Sequence, residues 1–342
     1  MRKGSTSKTL SIKDVAKLAG VSISTVSRVI NKNSGVKNRN LSKVQDAIKQ
    51  LNFKPSVFAQ RLATGKSNVI SLVIPRFEGI FYSFYVLELI RGIGTMAAVM
   101  NLDLLLHLSD ERSNLNFNGI GGVIFADLIK NKPFVEDAVA RNIPTVVINN
   151  YVEDMNVNCI AIDNKGGAEH AVNYLIGLGH KKIAHITGEL FTQAAAHRFE
   201  GYKAALKKHN LPLEDRYVVK TDYSRGQARA AAERLLKLPD APTAIFVASD
   251  SMALEVMAVA RELGIRIPAD ISIVGFDDNP SGLYGPVALT TVRQPLVKMA
   301  QDSLKELNAL MNLKKKAGVK KVYLPTELVV RESCQSPQSA HT

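Results

Sequence analysis

The chain has no tryptophan and only two cysteines, Cys159 and Cys334, among 342 residues. Two thiols are too few for a disulfide framework or a cysteine-rich zinc site, so both read as structural. Aromatic residues make up 6%, and apolar residues come in short runs. None approaches the roughly 20 residues needed to span a bilayer. The opening MRKGSTSK leads toward a charged helix instead of the apolar stretch of a signal peptide. The expected location is cytoplasmic, with no membrane partner. Disorder is excluded as well, because 46% hydrophobic and 22% charged residues is ordinary globular composition. The length suits two or three folded units.

Acidic residues are scarce in one region. Residues 1–66 hold 14 Lys or Arg against Asp14 and Asp46 alone, whereas the remaining 276 residues carry 30 basic and 29 acidic side chains. The positive excess is therefore a head on a neutral body. That head also has apolar periodicity, which a solvated tail would lack, and nucleic acid is favoured over a membrane surface as its partner.

Within the head, Ser11 precedes Ile12 and is followed three residues later by Asp14, a capping-box start. Ile12, Val15, Ala16 and Ala19 should form the buried stripe of that first helix. Gly20 ends it, Ser22 caps a second helix, and Val26, Val29 and Ile30 return at helical spacing. A third helix over 42–51 offers Val44, Ala47, Ile48 and Leu51 to the same small core. This is a helix-turn-helix that exposes Ile23, Ser24, Thr25, Ser27 and Arg28 on its second helix.

The run DVAKLAGVS followed by TVSRVIN resembles the headpiece of the lactose-repressor and galactose-repressor (LacI/GalR) family of bacterial transcription regulators. The resemblance implies that the second helix enters the major groove of double-stranded DNA. Carried over by position, Ile23, Ser24 and Arg28 would read bases, Arg28 by a bidentate contact to guanine. Thr25, Ser27 and Asn31 would contact phosphates. The family usually has Thr-Arg before the third helix, where this chain has Asn40-Leu41. That backbone contact is missing or passes to Arg39 or Lys43.

The next segment, LNFKPSVFAQRLATGKS, resembles the family's hinge, a short helix that folds on DNA and wedges a Leu into the minor groove. Leu62 takes the wedge position. Ala59 is small enough for two hinge helices to approach, and Arg61, one place later than the family's Arg, is a further minor-groove candidate. Pro55 and Gly65 suit the ends of such a helix.

From Val69 onward, β-branched runs at 69–74, 102–107, 122–125, 145–149, 182–187, 244–249 and 272–276 alternate with helical patterns. Such alternation means parallel sheets covered by helices, and about 270 residues suits two sheets with a cleft between them. Ligands of such sheets gather at the carboxyl ends of strands. The residues there include Pro75-Arg76, Asn149, Thr187-Gly188, Ser249-Asp250 and Asp277-Asp278.

The strings IDNKGGAEHAVNYLIGLGHKKIAHITG, HRFEGYKAAL, VASDSMALEV, IPADISIVGFDDNP, ALTTVRQP and LPTELVVRESC resemble the family's effector domain, itself similar to periplasmic sugar-binding proteins. The implied fold is an all-α helix-turn-helix headpiece plus an α/β periplasmic-binding-protein-like core of two parallel-sheet subdomains. The implied plan is a headpiece over 1–54, a hinge over 55–66, a core over 67–334 and a disordered tail over 335–342. Within the core, 67–164 with 292–321 would form one subdomain and 165–291 with 322–334 the other. Effector contacts carried over are Arg198 and Asp277 as paired donor and acceptor, Tyr223 as an aromatic face, and Asn149, Ser249 and Arg76 as polar wall. Between 108 and 120 the chain is roughly ten residues shorter than the family's link, so a crossover helix should be truncated or lost.

Other signals carry less. Gly92-Ile93-Gly94 lies inside a helical stretch, where a dinucleotide loop would follow a strand. His170, His180 and His185 share no common face for zinc. Asp277 and Asp278 are adjacent and should point apart, which disfavours paired-carboxylate hydrolysis. No cofactor, metal or catalytic step is expected. The implied function is a ligand-responsive repressor of carbohydrate-related genes. It would bind a pseudo-palindromic operator as a homodimer, since one small headpiece makes few base contacts and two-fold symmetry doubles them. The effector would be a sugar or sugar derivative. Alternatives are a regulator whose core answers to a partner protein, and a cytoplasmic sugar-binding or enzymatic protein with a non-specific basic head.

Overall fold

The structure is a computed structural model that describes residues 10–30, 36–53, 67–77, 79–313 and 318–337. It divides into two compact units, one of residues 1–69 with 117–121 and the other of 70–116 with 122–342.

In the first unit, helices α1 (Ile12–Ala19), α2 (Ile23–Ile30) and α3 (Asn38–Gln50) pack around Val15, Ala16, Ala19, Val26, Val44 and Ala47. Ile12, Val29, Ile30, Ile48 and Leu51 close over this core, as the spacing predicts. The Ser11 backbone N–H donates to the Asp14 carboxylate at 2.8 Å, and Gly20 ends α1 in the left-handed region at φ 63°. Helix α3 starts four residues earlier than the sequence reading has it. Asn40 and Leu41 thus lie in its first turn, because their backbone N–H groups bond back to the Lys37 carbonyl.

The second unit holds two six-stranded sheets. The first runs β11-β5-β4-β3-β1-β2, built from β1 (Val69–Pro75), β2 (Asp103–Ser109), β3 (Gly122–Ala126), β4 (Thr145–Ile148), β5 (Asn158–Ile162) and β11 (Lys321–Leu324). The second runs β12-β10-β9-β8-β6-β7. Its strands are β6 (Ile183–Ile186), β7 (Val218–Val219), β8 (Ala244–Val247), β9 (Ser272–Asp277), β10 (Thr290–Arg293) and β12 (Glu327–Val329). Neighbours along β1-β3-β4-β5-β11 and β10-β9-β8-β6-β7 are parallel, and β12 pairs antiparallel with β10.

Helices α4 (Phe84–Val99) and α10 (Leu296–Asn312) cover one face of the first sheet, where Ile70, Leu72, Ile124 and Val146 meet Leu89, Ile93, Met299 and Leu304. A Cβ on Gly92 would stand 2.6 Å from the Ala300 Cβ, so this glycine serves helix-helix contact. Helix α5 (Lys132–Ala140) also belongs to this half. On the second sheet, α6 (Asn164–Gly177) and α7 (Gln193–Lys208) cover one face, and α8 (Arg225–Leu236) and α9 (Asp250–Glu262) the other. Many of these helices begin on a hydroxyl or carboxylate cap: Ser83, Asp163, Thr192, Ser224 and Ser249 each accept a backbone N–H of the first turn.

The chain crosses between sheets after β5, β10 and β11. The last two crossings differ from the sequence reading. Thr290–Arg293 stays with the second sheet beside β9, and Lys321–Leu324 stays with the first beside Cys159–Ile162, because parallel pairing holds each strand to its end. No helix occupies 110–116 or 118–121, consistent with a shortened link after β2. Gln335, placed in the tail by the sequence reading, is pinned: its N–H donates to Ser272 Oγ at 3.1 Å and its carbonyl lies 2.9 Å from His180 Nε2.

Candidate nucleic-acid interface and effector cleft

On the headpiece, α2 presents Ile23 at 46% exposure with Ser24 and Arg28 also exposed, while Thr25 and Ser27 are half-buried. The Ser22 hydroxyl accepts the Thr25 N–H at 3.2 Å and lies 2.8 Å from the Ser24 hydroxyl and 2.9 Å from that of Thr25. Three hydroxyls thus sit at the amino end of α2, where the helix dipole favours a phosphate oxygen. Lys13, Lys17, Lys37, Arg39 and Lys43 are exposed on the same unit. Asn31, Ala59, Arg61 and Leu62 lie outside the described residues.

In the core, Arg198 projects from α7 and is 4% exposed. Its Nε donates to Asn164 Oδ1 at 2.8 Å, Nη1 donates to the Ala248 carbonyl, and the guanidinium lies over the Phe276 ring at 3.8 Å. Asp277, at the end of β9, places Oδ1 3.9 Å from Arg198 Nη1 and accepts Gln294 Nε2 at 2.6 Å. Asp278 turns the other way, to Arg293 at 2.6 Å and Arg331 at 2.5 Å, so the adjacent carboxylates do point apart. Burial raises the carboxyl pKa of Asp277, with Arg198 pulling against it, and burial followed by the Asp277 charge raises that of Asp250. Asp250 is fully buried and accepts the Thr291 hydroxyl at 2.6 Å and the Asn279 N–H at 2.7 Å.

Tyr223 comes from the segment ahead of α8 and leans over Gly188, where a Cβ would stand 1.9 Å from the ring. Burial pushes its phenol pKa up, Arg198 pulls it down, and Asp277 and Asp127 add to the rise. That phenol therefore lies within electrostatic reach of carboxylates from both sheets. Asn149 follows β4, is 8% exposed, and donates from Nδ2 to Asp127 Oδ2 at 3.4 Å. Backbone strain gathers at this cluster: φ is 83° at Asp127, 66° at Asn149, 68° at Tyr223, 138° at Asp277 and 59° at Asp278. Non-glycine residues held there cost energy that the surroundings must supply, a pattern typical of ligand sites. A cavity of about 400 Å³ is lined by Asp127, Lys130, Asn150, Phe191, Thr192 and Gln193. A second, of about 300 Å³, is lined by Phe84, Asp277, Asp278, Gln294 and Lys298 among others.

Comparison with known proteins decides the family. The family described as "Bacterial regulatory proteins, lacI family" matches residues 11–56, and "Periplasmic binding protein-like domain" matches 172–334. The probable HTH-type transcriptional repressor ExuR of Bacillus subtilis (strain 168) is 34% identical over 331 residues, spanning 95% of this chain and 98% of that protein. The chain belongs to the lacI family of bacterial regulatory proteins. Catabolite control protein A of Priestia megaterium, also similar, is 33% identical over 95% of this chain and 99% of its own. The lac repressor dimer bound to operator and the anti-inducer ONPF superposes with a TM-score of 0.80 at 26% identity, covering 96% of this chain and all of that one. The CelR-cellobiose complex superposes at 0.70 with 28% identity, covering 95% and 99%.

This lacI-family core brings Arg198, Asp277, Tyr223 and Asn149 into one cluster. Ser249 is adjacent, but its hydroxyl accepts the Met252 N–H at 3.4 Å as the cap of α9. Arg76 stands apart, with a side chain 62% exposed and 3.9 Å from Asp110. Asp127, Tyr85 and Gln294 lie beyond what sequence reasoning finds, and it leaves Asp250 at a strand end without a role. Asp127 immediately follows the strand run GVIFA, so the rule of reading the residue after each strand applies to it as well. Gln294 follows β10, a strand short enough to escape the periodicity.

Proposed function

We propose that this lacI-family regulator is a repressor that binds a pseudo-palindromic operator as a homodimer and responds to a small polar effector, a sugar or sugar derivative. The headpiece would dock α2 in the major groove, with Ile23, Ser24 and Arg28 on base edges and Thr25, Ser27 and Asn31 on phosphates. Residues 55–66 would form the hinge, with Leu62 as minor-groove wedge, Ala59 at the two-fold axis and Arg61 beside it. Arg198, Asp277, Tyr223, Asn149 and Ser249 would hold the effector, joined by Gln294, while Arg76, beside Asp110 at the surface, would not. We assign the protein no catalytic step and place it in the cytoplasm.

The observation that carries this reading is the convergence of strained polar residues from both sheets in one cluster. A ligand that bridges them gains differential affinity for one inter-sheet geometry, which is what coupling to DNA binding requires. Relatives named as repressors of the ribose operon, from Escherichia coli (strain K12) among others, support the effector class.

The test is selection of bound duplexes from a random pool by the purified protein, repeated with a panel of sugars and nucleobases. A two-fold symmetric site whose retention shifts with one compound is the expected result. Failure to enrich any sequence would overturn the operator reading and leave a non-specific polyanion binder.

A further inference from the structure

We propose that Asp127 gives the effector cleft a charge preference, so that the effector is a polyol bearing an amine and acidic sugars are refused. The inference rests on the effector-site reading above and narrows its ligand.

Asp127 is half-buried at the carboxyl end of β3, with its backbone at φ 83°. Its carboxylate accepts the Ile129 N–H at 3.2 Å and Asn149 Nδ2 at 3.4 Å, with the Leu128 N–H and the Asn150 amide also turned to it, all of them neutral dipoles. Among the described residues no ion pair reaches it. Arg198 is committed to Asn164, the Ala248 carbonyl and Asp277. Lys130 lines the same cavity, but its ammonium lies 3.5 Å from Glu111. A carboxylate withdrawn from water without a cation is costly, and its pKa responds accordingly, raised chiefly by burial.

A second polar group lies within electrostatic reach of this carboxylate. The Tyr85 hydroxyl is shut off from solvent and has no hydrogen-bond partner among the described residues. It lies close enough to Asp127 for that carboxylate, after burial, to raise the phenol pKa. Phe191, 68% exposed, lines the cavity that Asp127 also lines, and an aromatic face beside a carboxylate suits a cation. An ammonium on a polyol would donate to Asp127 while its hydroxyls reach Thr192 and Gln193, which line the same cavity. A ligand carboxylate in this cavity would instead meet the Asp127 charge, like against like in a medium of low dielectric.

The test uses the purified full chain and matched sugar sets: glucose with glucosamine and glucuronate, and galactose with galactosamine and galacturonate. Calorimetric titration at neutral pH should show an amine member binding about tenfold more tightly than its hydroxyl counterpart, with the acid not binding, a magnitude expected of one charge-assisted hydrogen bond. Asp127→Asn should erase that preference and leave ligand-free operator binding unchanged. A hydroxyl or acid member binding as tightly as the amine in the unaltered protein overturns the proposal, whatever the variant does, as does a preference that survives Asp127→Asn. If no member of either set binds, the amine-bearing polyol is overturned, whereas the effector-site reading falls only if the wider panel of sugars and nucleobases also leaves operator retention unchanged.

Discussion

Arg28 and Asp250 show how much a single side chain's surroundings decide. Arg28 is exposed on α2, where its guanidinium can meet either a base edge or a phosphate. Arg28→Ala should relax specificity at one base pair per half-site, at roughly 1–3 kcal/mol of lost discrimination. Measured by competition among single-substitution operators, a uniform loss across all sequences would assign it to the backbone instead. Asp250 is legible in the sequence as a strand-end carboxylate, but its ionisation is not, because desolvation depends on what the fold stacks around it. In the folded protein burial pushes its pKa up to about 7, whereas the unfolded carboxyl titrates near 4. The native state therefore binds the proton first, so stability should rise as the pH falls through that interval and fall as the pH rises through it. Asp250→Asn, with its amide facing the Thr291 hydroxyl and its carbonyl the Asn279 N–H, should flatten that slope in melting temperature against pH. An unaltered slope would move the titration to Asp277 or another carboxyl.

At the level of elements, strong periodicities are readable and weak ones are not. The stripes of α1 and α2 and the run of β1 stand out because each buries a whole face. Strands β5, β10, β11 and β12 are short or polar and gain their identity from pairing, which no local pattern encodes. Glycine spacing in α4 imitates a cofactor loop, and the partner helix α10 explains Gly92, whereas Gly94 faces open space. A similar close approach joins α6 and α7, where a Cβ on Gly201 would stand 2.3 Å from the Lys165 carbonyl. Gly201→Ala should force those helices apart and cost about 1–3 kcal/mol, read from chemical denaturation. A loss below experimental error would mean that the pair can slide without penalty. His180 and His185 also resolve here into core roles. His180 bridges Thr243, Ser272 and Gln335, and His185 stacks on Phe246, buried so fully that its pKa falls to about 4.

Across the whole molecule, the proposed effector cluster and the helix-turn-helix lie in different units of the chain, so effector response and DNA binding should be separable by substitution. Asp277→Ala removes a cleft carboxylate that makes no part of the headpiece. It should abolish any ligand-induced shift of operator affinity while ligand-free affinity stays within about twofold of the parent, a change too small to count as lost contacts. An intact ligand response in a mobility-shift titration would place the effector elsewhere. The charge division that separates head from body belongs to this scale too. It is a sum over residues 1–66, indifferent to how they fold, and so the order of residues alone reveals it.

The sequence by itself determined the helix-turn-helix, the exposed face of its second helix, the two-sheet core and the family, because apolar spacing, caps and strand-end residues are local properties of the chain. Only the tertiary structure decided which strand-end residues meet. Asn149, Arg198, Tyr223 and Asp277 converge with Asp127, which no motif marks, while Arg76 turns to Asp110 at the surface. Residues far apart in the chain become neighbours through sheet order and crossings, and a carboxyl's charge or a backbone's strain is then fixed by those neighbours.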